Sequence, residues 1–244
     1  MSGFDEEMLE DYVVEKFRED GWEFIPAKEL DREGYSEPLL ERNLIRSINR
    51  INSGKDLDDD EVIQAVKELK LRPSGIEGLK QILYFLKNGI TIRFKRGRGI
   101  VNIKLFDYAD LKNNEYIVTR QVYYHGVDVI RTDVMLYVNG IPLVDIELKN
   151  PSSISETWLD AYYQIKDYEK TVPELYKYVQ IGVAAEQTAF YFPIVPQLDE
   201  VKKSEWKENS ADPIDAFIKM LSKDRILDLI LNYVFIREEM GMAT

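Results

Sequence analysis

The sequence of 244 residues contains no cysteine and a single histidine, His125. The absence of cysteine excludes thiolate nucleophiles, disulfide bonds and every zinc site that needs sulfur ligands. One histidine, next to the expected turn at Gly126, argues against a catalytic triad or a multi-histidine metal site, and we predict a structural or surface role for it. Carboxylates are plentiful, with 44 Asp and Glu against 32 Lys and Arg. Any catalysis should therefore depend on carboxylates and a hard cation such as magnesium, calcium or manganese.

Long apolar runs are also absent, because no run approaches the roughly 20 residues that a membrane-spanning helix needs. The acidic amino terminus lacks the order of charge and apolar residues found in a signal peptide. We therefore expect no membrane association and a cytoplasmic location. The chain is 45% hydrophobic and 11% aromatic, which is enough for a sizeable core. Its length fits one large domain, or one domain with a small appendage.

The net charge of −12 argues at first against DNA binding, because phosphate contacts dominate the affinity of such proteins. The charge is unevenly distributed, however. The first 72 residues carry much of the acid, including the run DLDDDE at 56–61. A basic stretch follows later in the chain and contains Arg93, Lys95, Arg96 and Arg98. These four residues are candidates for holding a DNA backbone, and a solvated charged hairpin is an equally good interpretation.

Hydrophobic periodicity predicts helices first, then strands, one helix, more strands and a helical tail. The expected helices cover 5–19, 39–52, 60–71, 75–88, 156–171 and 212–236. The expected strands begin at 90, 100, 116, 129, 142, 178 and 188. This order predicts an α/β (α+β) fold, in which a run of antiparallel strands contributes to a layered arrangement with the helices.

One stretch, VIRTDVMLYVNGIPLVDIELKNP at 129–151, concentrates polar groups on strands. Asp145, Glu147 and Lys149 alternate with apolar residues, and Asp133 lies in the preceding apolar strand. Two carboxylates that converge on one point bind a hard cation, and an amine beside them stabilises charge on a phosphate. A strand whose polar residues simply face solvent remains the alternative.

The turn between these two strands decides whether the site can form. With a two-residue loop at Asn139 and Gly140 and no irregularity, Asp133 would pair with Ile146 and point away from Glu147. A three-residue loop or one β-bulge would place Asp133 opposite Glu147. We predict the longer loop, because the nearby Pro142 cannot donate to the ladder.

The aspartate strand followed by ELK resembles the PD-(D/E)xK nucleases, with Thr132 in place of the proline. The stretch RTDVMLYVNGIPLVDIELKNP is similar to the amino-terminal region of the restriction (R) subunits of type I restriction-modification enzymes. That resemblance implies a restriction-endonuclease-like core with a central mixed β-sheet flanked by helices, metal ligation by Asp133 and Glu147, and a charge-stabilising Lys149. Asp145 falls where aliphatic residues are common in the family, and we interpret it as a solvated strand residue rather than a third site acid.

Three accessory residues follow from the same resemblance. The helix AYYQIKDYEK resembles the Gln-x-x-x-Tyr element of the family through Gln164 and Tyr168, and EDYVVEKFREDGWEF resembles the family's first helix through Glu10. The resemblance implies Mg²⁺ as cofactor, and duplex DNA and the methylation and specificity subunits as partners. It also implies a nuclease domain over 1–211 and a helical connection over 212–244 toward ATP-dependent motor domains. We expect those motor domains to be absent from this chain.

Two other interpretations stay open at this point. The first is a non-catalytic module that docks DNA or partner subunits on a nuclease-like fold. The intact Asp133, Glu147 and Lys149 argue against it, because degenerate copies usually lose one of the three. The second is a stand-alone nuclease of the same fold, against which the apolar helix-forming tail argues mildly.

Overall fold

A six-stranded mixed sheet forms the centre of the protein. The computed structural model describes residues 5–94, 99–153, 155–208, 212–236, 238–239 and 242–243. The central strands are β1 (Glu23–Phe24), β4 (Tyr116–His125), β5 (Val129–Val138), β6 (Ile141–Leu148), β7 (Ile181–Ala185) and β8 (Ala189–Pro193). They lie in that order across the sheet. The β1–β4 and β6–β7 pairs are parallel, and the other pairs are antiparallel.

Among the described residues, four short strands lie outside the central sheet. They are β2 (Ile90–Phe94) and β3 (Gly99–Ile103), which form a separate hairpin, and the two-residue strands β9 (Glu238–Glu239) and β10 (Met242–Ala243). The expected continuous run of antiparallel strands from residue 90 is therefore wrong in its first part. Alternation alone identifies β2 and β3 as strands but contains no information about which sheet they join.

Eight α-helices are assigned in the described residues. They are α1 (Glu6–Glu19), α2 (Glu41–Ile51), α3 (Asp59–Lys70), α4 (Ile76–Asn88), α5 (Trp158–Thr171), α6 (Pro173–Tyr176), α7 (Pro213–Met220) and α8 (Ile226–Asp228). The expected single helical tail is wrong, because α7 ends at Met220 and a π-helical turn, Leu229–Tyr233, follows α8. None of the helices in the described ranges has both the length and the apolar character that crossing a membrane requires.

Two apolar clusters on the central sheet make the fold a three-layer arrangement. One cluster packs α1 to α4, α7 and α8 together with residues such as Val134, Val144 and Ile146. The other packs α5 and α6 with residues such as Met135 and Tyr137. Both faces of β6 are therefore buried. The expected fold class, a mixed sheet flanked by helices, is confirmed, and the expected boundary between 211 and 212 stays a prediction.

Candidate functional site

The turn between β5 and β6 sets the register of the two strands. Val138 pairs with Ile141, so the loop has two residues, Asn139 and Gly140, with φ angles of 52° and 79°. Positive φ at both positions is the geometry of a tight hairpin turn. A β carbon on Gly140 would lie 2.5 Å from the carbonyl oxygen of Leu40, so glycine is required there. The predicted three-residue loop is therefore wrong.

A β-bulge restores the register that the site needs. Tyr137 pairs with Pro142, but Leu136 pairs with Val144, so Leu143 is the additional residue. The next pairs shift by one, which brings Asp133 opposite Glu147. The bulge named above as the alternative to a longer loop is present.

Asp133 and Glu147 replace the backbone ladder at the point where β5 and β6 separate. The last backbone pair is Val134 with Ile146. Beyond it, the Asp133 backbone N–H donates to Glu147 Oε1 at 3.1 Å, and the Leu148 N–H donates to Asp133 Oδ2 at 2.8 Å. Each carboxylate therefore binds a backbone donor of the opposite strand, which fixes both side chains inside the protein.

Helix α5 brings Gln164 and Tyr168 to the same place. The Lys149 ammonium donates to Gln164 Oε1 at 2.6 Å, and Gln164 Nε2 donates to Glu147 Oε2 at 2.6 Å. The same amide nitrogen donates to the Tyr168 hydroxyl at 2.7 Å, and that hydroxyl donates to the carbonyl oxygen of Arg131 at 2.9 Å. Gln164 thus lies between the amine and the carboxylate and orients both. A capping box at Thr157 begins the helix.

Helix α1 completes a cluster of three carboxylates. Oxygens of Glu6, Glu10 and Asp133 all lie within 4.8 Å of one another. Glu6 and Glu10 are one turn apart on α1, so they share a helix face. Glu10 is 2% exposed, which favours its predicted site role over that of an exposed helix acid. Glu147 lies outside this group of three, so the predicted pairing of Asp133 with Glu147 as the two metal ligands stays a prediction.

Gln121 on β4 is hydrogen-bonded to the carboxylate cluster through Glu10. Its amide Nε2 donates to Glu10 Oε2 at 3.1 Å. Gln121 has a φ of 55°, which is uncommon for a residue other than glycine, and it lies in β4 between the residues that pair with Thr132 and Val134. Backbone strain of this kind clusters at functional sites.

Burial and mutual repulsion raise the pKa values of the site acids. Burial raises the pKa of Glu10 to about 7, and the neighbouring Asp133 adds to the rise. Burial likewise raises the pKa values of Asp133 and Glu6, and it places the pKa of Glu147 well above its usual value, with Asp133 and Asp145 contributing. Carboxyl groups that are held close together and largely buried favour the protonated form. A bound cation would reverse this preference.

Asp145 is fully buried behind Glu147, so the interpretation as a solvated strand residue is wrong. The Tyr176 hydroxyl donates to Asp145 Oδ2, while Oδ1 has no hydrogen-bond partner among the described residues. Burial raises the pKa of Asp145 to about 7. The error arises because α5 and α6 cover a strand face that alternation alone would assign to solvent.

Of the four predicted DNA-binding residues, the structure describes Arg93 alone. Arg93 is exposed on β2, in the separate hairpin, and nothing in the described residues places it beside the carboxylates. Lys95, Arg96 and Arg98 lie outside the described residues. His125 is exposed at the end of β4, in agreement with a surface role.

Sequence reasoning missed Glu6 and Gln121. The signal for Glu6 was its spacing of four residues before Glu10, which places both on one face of α1. Gln121 carried no signal, because its contact with Glu10 depends on an unusual backbone conformation and on the packing of α1 against β4.

Comparison with known proteins gives a consistent result. The family described as type I restriction enzyme R protein N terminus matches residues 3–201. A type I restriction enzyme endonuclease subunit of Methanocaldococcus jannaschii, MjaVIIIP, is 30% identical over 235 residues, which is 93% of this chain and 22% of that protein. The HindI endonuclease subunit of Haemophilus influenzae is 24% identical over 191 residues, or 73% of this chain and 18% of that protein. The chain thus spans about a fifth of the length of these relatives.

A third relative is the EcoprrI endonuclease subunit of Escherichia coli, 31% identical over 150 residues, which is 57% of this chain and 47% of that protein. The family match covers far more than half of the sequence and includes the stretches that form the site. The chain therefore belongs to the family of type I restriction enzyme R protein amino-terminal regions.

Proposed function

We propose that this chain is a metal-dependent DNA endonuclease domain that hydrolyses phosphodiester bonds of duplex DNA. One observation carries the proposal: carboxylate oxygens of Glu6 and Glu10 on α1 and of Asp133 on β5 lie within 4.8 Å of one another. Lys149 directly follows β6, the strand that pairs with β5. The relatives are endonuclease subunits by name, which supports the same reaction class for this chain.

The donor set fits a hard divalent cation, and we propose Mg²⁺. Carboxylate oxygens are the ligands that Mg²⁺ prefers, and oxygens this close together can share one ion. Burial raises the pKa values of Glu10 and Asp133 despite the nearby cations Arg120, Lys149 and Arg131, so the metal-free cluster favours protonated acids. A bound cation would supply a water of lowered pKa and offset the negative charge that grows on the phosphate.

The residues of the chain have separate proposed roles. Glu147, held by the Asp133 N–H and by Gln164, keeps its carboxylate beside the cluster. Gln164 also directs the Lys149 ammonium, whose charge stabilises a phosphate in the transition state. Tyr168 anchors Gln164 to β5 through the Arg131 carbonyl oxygen. This anchoring limits the number of geometries that the amine and the carboxylate adopt.

We further propose that specificity comes from other subunits. The relatives are named as subunits of type I restriction enzymes, and this chain covers about a fifth of their length. Within the 244 residues there is no GxxxxGK[ST] sequence for binding nucleotide phosphates. On this proposal, methylation and specificity subunits select the target, ATP is used only by domains outside this chain, and DNA is cut in the cytoplasm.

The test is nicking of supercoiled plasmid by the 244-residue chain in Mn²⁺ or Mg²⁺. We expect open-circular product from the parent protein and at least about a 100-fold lower rate for Lys149→Gln, because transition-state charge stabilisation is a large term. The matched control is Lys112→Gln, an exposed lysine in the turn at the far end of β4, which should cut at the parent rate.

A parent protein that binds DNA but cuts in neither metal would contradict the proposal and favour the docking module. Equal rates for the parent and Lys149→Gln would also contradict it, because the assigned site would then not be the one that cuts.

A further inference from the structure

The β4–β5 hairpin presents an exposed surface beside the carboxylate cluster. Tyr123 pairs with Arg131, and His125 pairs with Val129, and all four side chains are exposed. Residues two apart on a strand share one face, so these four form one patch. Tyr35 adds to it, because its ring lies 6.0 Å from that of Tyr123. We call these five residues the hairpin face.

The hairpin face is unusually apolar for exposed surface. Tyr35 is 60% exposed, Tyr123 43% and Val129 52%, and Val127 at the tip is 87% exposed. Single exposed apolar side chains are common, but a contiguous group of large ones marks an interaction site. The group therefore requires an explanation beyond chance exposure.

The aromatic rings are held in place before any ligand arrives. The Arg32 guanidinium lies over the Tyr35 ring at 5.7 Å and over the buried Tyr124 ring at 4.8 Å, and its Nη2 donates to the Tyr123 carbonyl oxygen at 2.9 Å. The His125 N–H also donates to the Tyr35 carbonyl oxygen at 2.9 Å. Side chains fixed in advance lose little conformational entropy on binding.

Arg131 connects the hairpin face to the carboxylate cluster. It precedes Asp133 by two residues on β5, and its positive charge lowers the pKa values of Asp133 and Glu6 against the larger effect of burial. Within the described residues it forms no ion pair shorter than 4.0 Å, and its guanidinium lies beside the Tyr123 side chain. The positive charge therefore remains available to a phosphate next to the site.

We propose that the hairpin face is a DNA-binding surface, on which Arg131 contacts a backbone phosphate flanking the cut and Tyr123 and Tyr35 pack against the adjoining sugar or base. This inference rests on the proposed function, because it assigns the DNA strand a path from the carboxylate cluster along β5 to the hairpin tip.

Charge and continuity favour DNA over a protein partner. An exposed arginine beside two aromatic rings matches a DNA backbone, since arginine binds phosphate and an aromatic ring can pack against the adjoining sugar. The face also begins at Arg131, two residues before Asp133 on β5, so a strand bound at the cluster can continue along it.

The test is binding of a short fluorescein-labelled duplex, followed by anisotropy over a series of salt concentrations. Calcium replaces the catalytic metal in one set, and EDTA is present in the other, so that no cleavage is required. We expect Arg131→Gln to weaken binding about 5- to 10-fold and to reduce the salt slope by about 0.9, the value for one lost phosphate contact. Tyr123→Ala should weaken binding about 5-fold with an unchanged slope, because the packing of a ring against the DNA releases no counterion.

Matched controls lie elsewhere on the molecule. Arg46→Gln removes an exposed arginine that contacts Glu115, next to the start of β4 and far from the hairpin tip. Tyr84→Ala removes an exposed tyrosine of α4. Both controls should bind within about twofold of the parent protein, since isolated surface substitutions have small effects.

Three results would overturn the inference. The first is that the parent protein does not bind the duplex in either buffer. The second is that Arg131→Gln and Tyr123→Ala both bind the duplex with the affinity of the parent protein. The third is a loss of duplex affinity in Arg131→Gln with parent affinity in Tyr123→Ala. Such a loss would follow from the uncompensated repulsion between the neighbouring carboxylates and DNA, without any contact on the hairpin face. Failure of the proposed function has a different signature, namely normal duplex binding that depends on these residues together with no plasmid nicking in either metal.

Discussion

Replacing Glu10 by glutamine should stabilise the metal-free protein, and more at high pH than at low pH. Burial raises the pKa of Glu10 from 4.5 to about 7. The folded protein therefore prefers the protonated acid, and the free energy of unfolding falls as pH rises through this interval. Above about pH 7 the whole penalty is present, and below about 4.5 it is absent. Glutamine has the same shape as the protonated acid and never ionises, so Glu10→Gln removes the penalty.

The rise in the pKa of Glu10 from 4.5 to about 7 lowers the free energy of unfolding by at most about 3 kcal/mol at pH near 8. At about pH 5 the corresponding figure is about 1 kcal/mol, because the unfolded acid is then only partly ionised. The Gln121 amide, which donates to the Glu10 carboxylate, retains an acceptor in the glutamine variant. Removing the charge also relieves repulsion with Asp133 and Glu6, which adds to the effect in the same direction.

Urea unfolding in EDTA at the two pH values measures the difference between variant and parent. The matched control is Glu15→Gln on the same helix, whose carboxylate is exposed and bonds Arg18, and it should change stability by less than about 0.5 kcal/mol at both pH values. Equal or lower stability of Glu10→Gln at the higher pH would refute the account of a repulsive, buried carboxylate cluster.

Three other substitutions follow from the same structure. Gln164→Ala should lower the nicking rate about 10- to 100-fold without loss of the fold, measured as initial rates beside thermal unfolding, because the amide only orients its two charged neighbours. Lys166→Met should lower the free energy of unfolding in urea by about 3 kcal/mol, because the Glu169 carboxylate stays buried without its partner. The double variant Lys166→Met, Glu169→Leu should recover most of that loss. A loss that the double variant does not recover would contradict the buried ion pair. Gly140→Ala should lower the free energy of unfolding in urea by about 2 kcal/mol or more, because its β carbon would clash with the Leu40 carbonyl oxygen. In the control Gly34→Ala the β carbon meets no atom within 4 Å, and stability should change by less than about 0.5 kcal/mol.

Secondary structure was largely predictable from periodicity, and topology was not. The expected limits of α1 and β5 agree with the structure within about one residue, because α1 has a continuous apolar stripe and β5 a continuous apolar run. The separation of the β2–β3 hairpin from the main sheet depends on which apolar faces meet in three dimensions. The break after Met220 depends on packing against the core, which periodicity does not encode.

The site was predictable to the extent that its residues lie near one another in sequence or match a family pattern. Asp133, Glu147, Lys149, Gln164 and Tyr168 form one hydrogen-bonded network, as their spacing on two strands and one helix indicates. The loop length was wrong, although the register that the prediction required is present through a bulge. A bulge has no sequence signal comparable to a turn dipeptide, since any residue can be the additional one.

The buried state of Asp145 was beyond sequence reasoning for a related reason. Alternating polar and apolar residues predict a solvated face only when nothing covers that face. Here Tyr176 of α6 packs over it and donates to the carboxylate. The sequence contains α6 as a short segment, and its position is a property of the assembled fold.

Calorimetric titration of Mn²⁺ into the parent, Asp133→Asn, Glu147→Gln and Glu15→Gln is the most direct test of the central claim. The account predicts one binding event in the parent and in Glu15→Gln, with proton release at neutral pH because the buried acids must ionise. It predicts that Mn²⁺ binding is weakened at least about 10-fold in Asp133→Asn and in Glu147→Gln. Asp133→Asn removes a carboxylate of the cluster, and Glu147→Gln removes the carboxylate that accepts from the Asp133 N–H. Equal affinity in all four proteins, or no binding by the parent, would contradict the account.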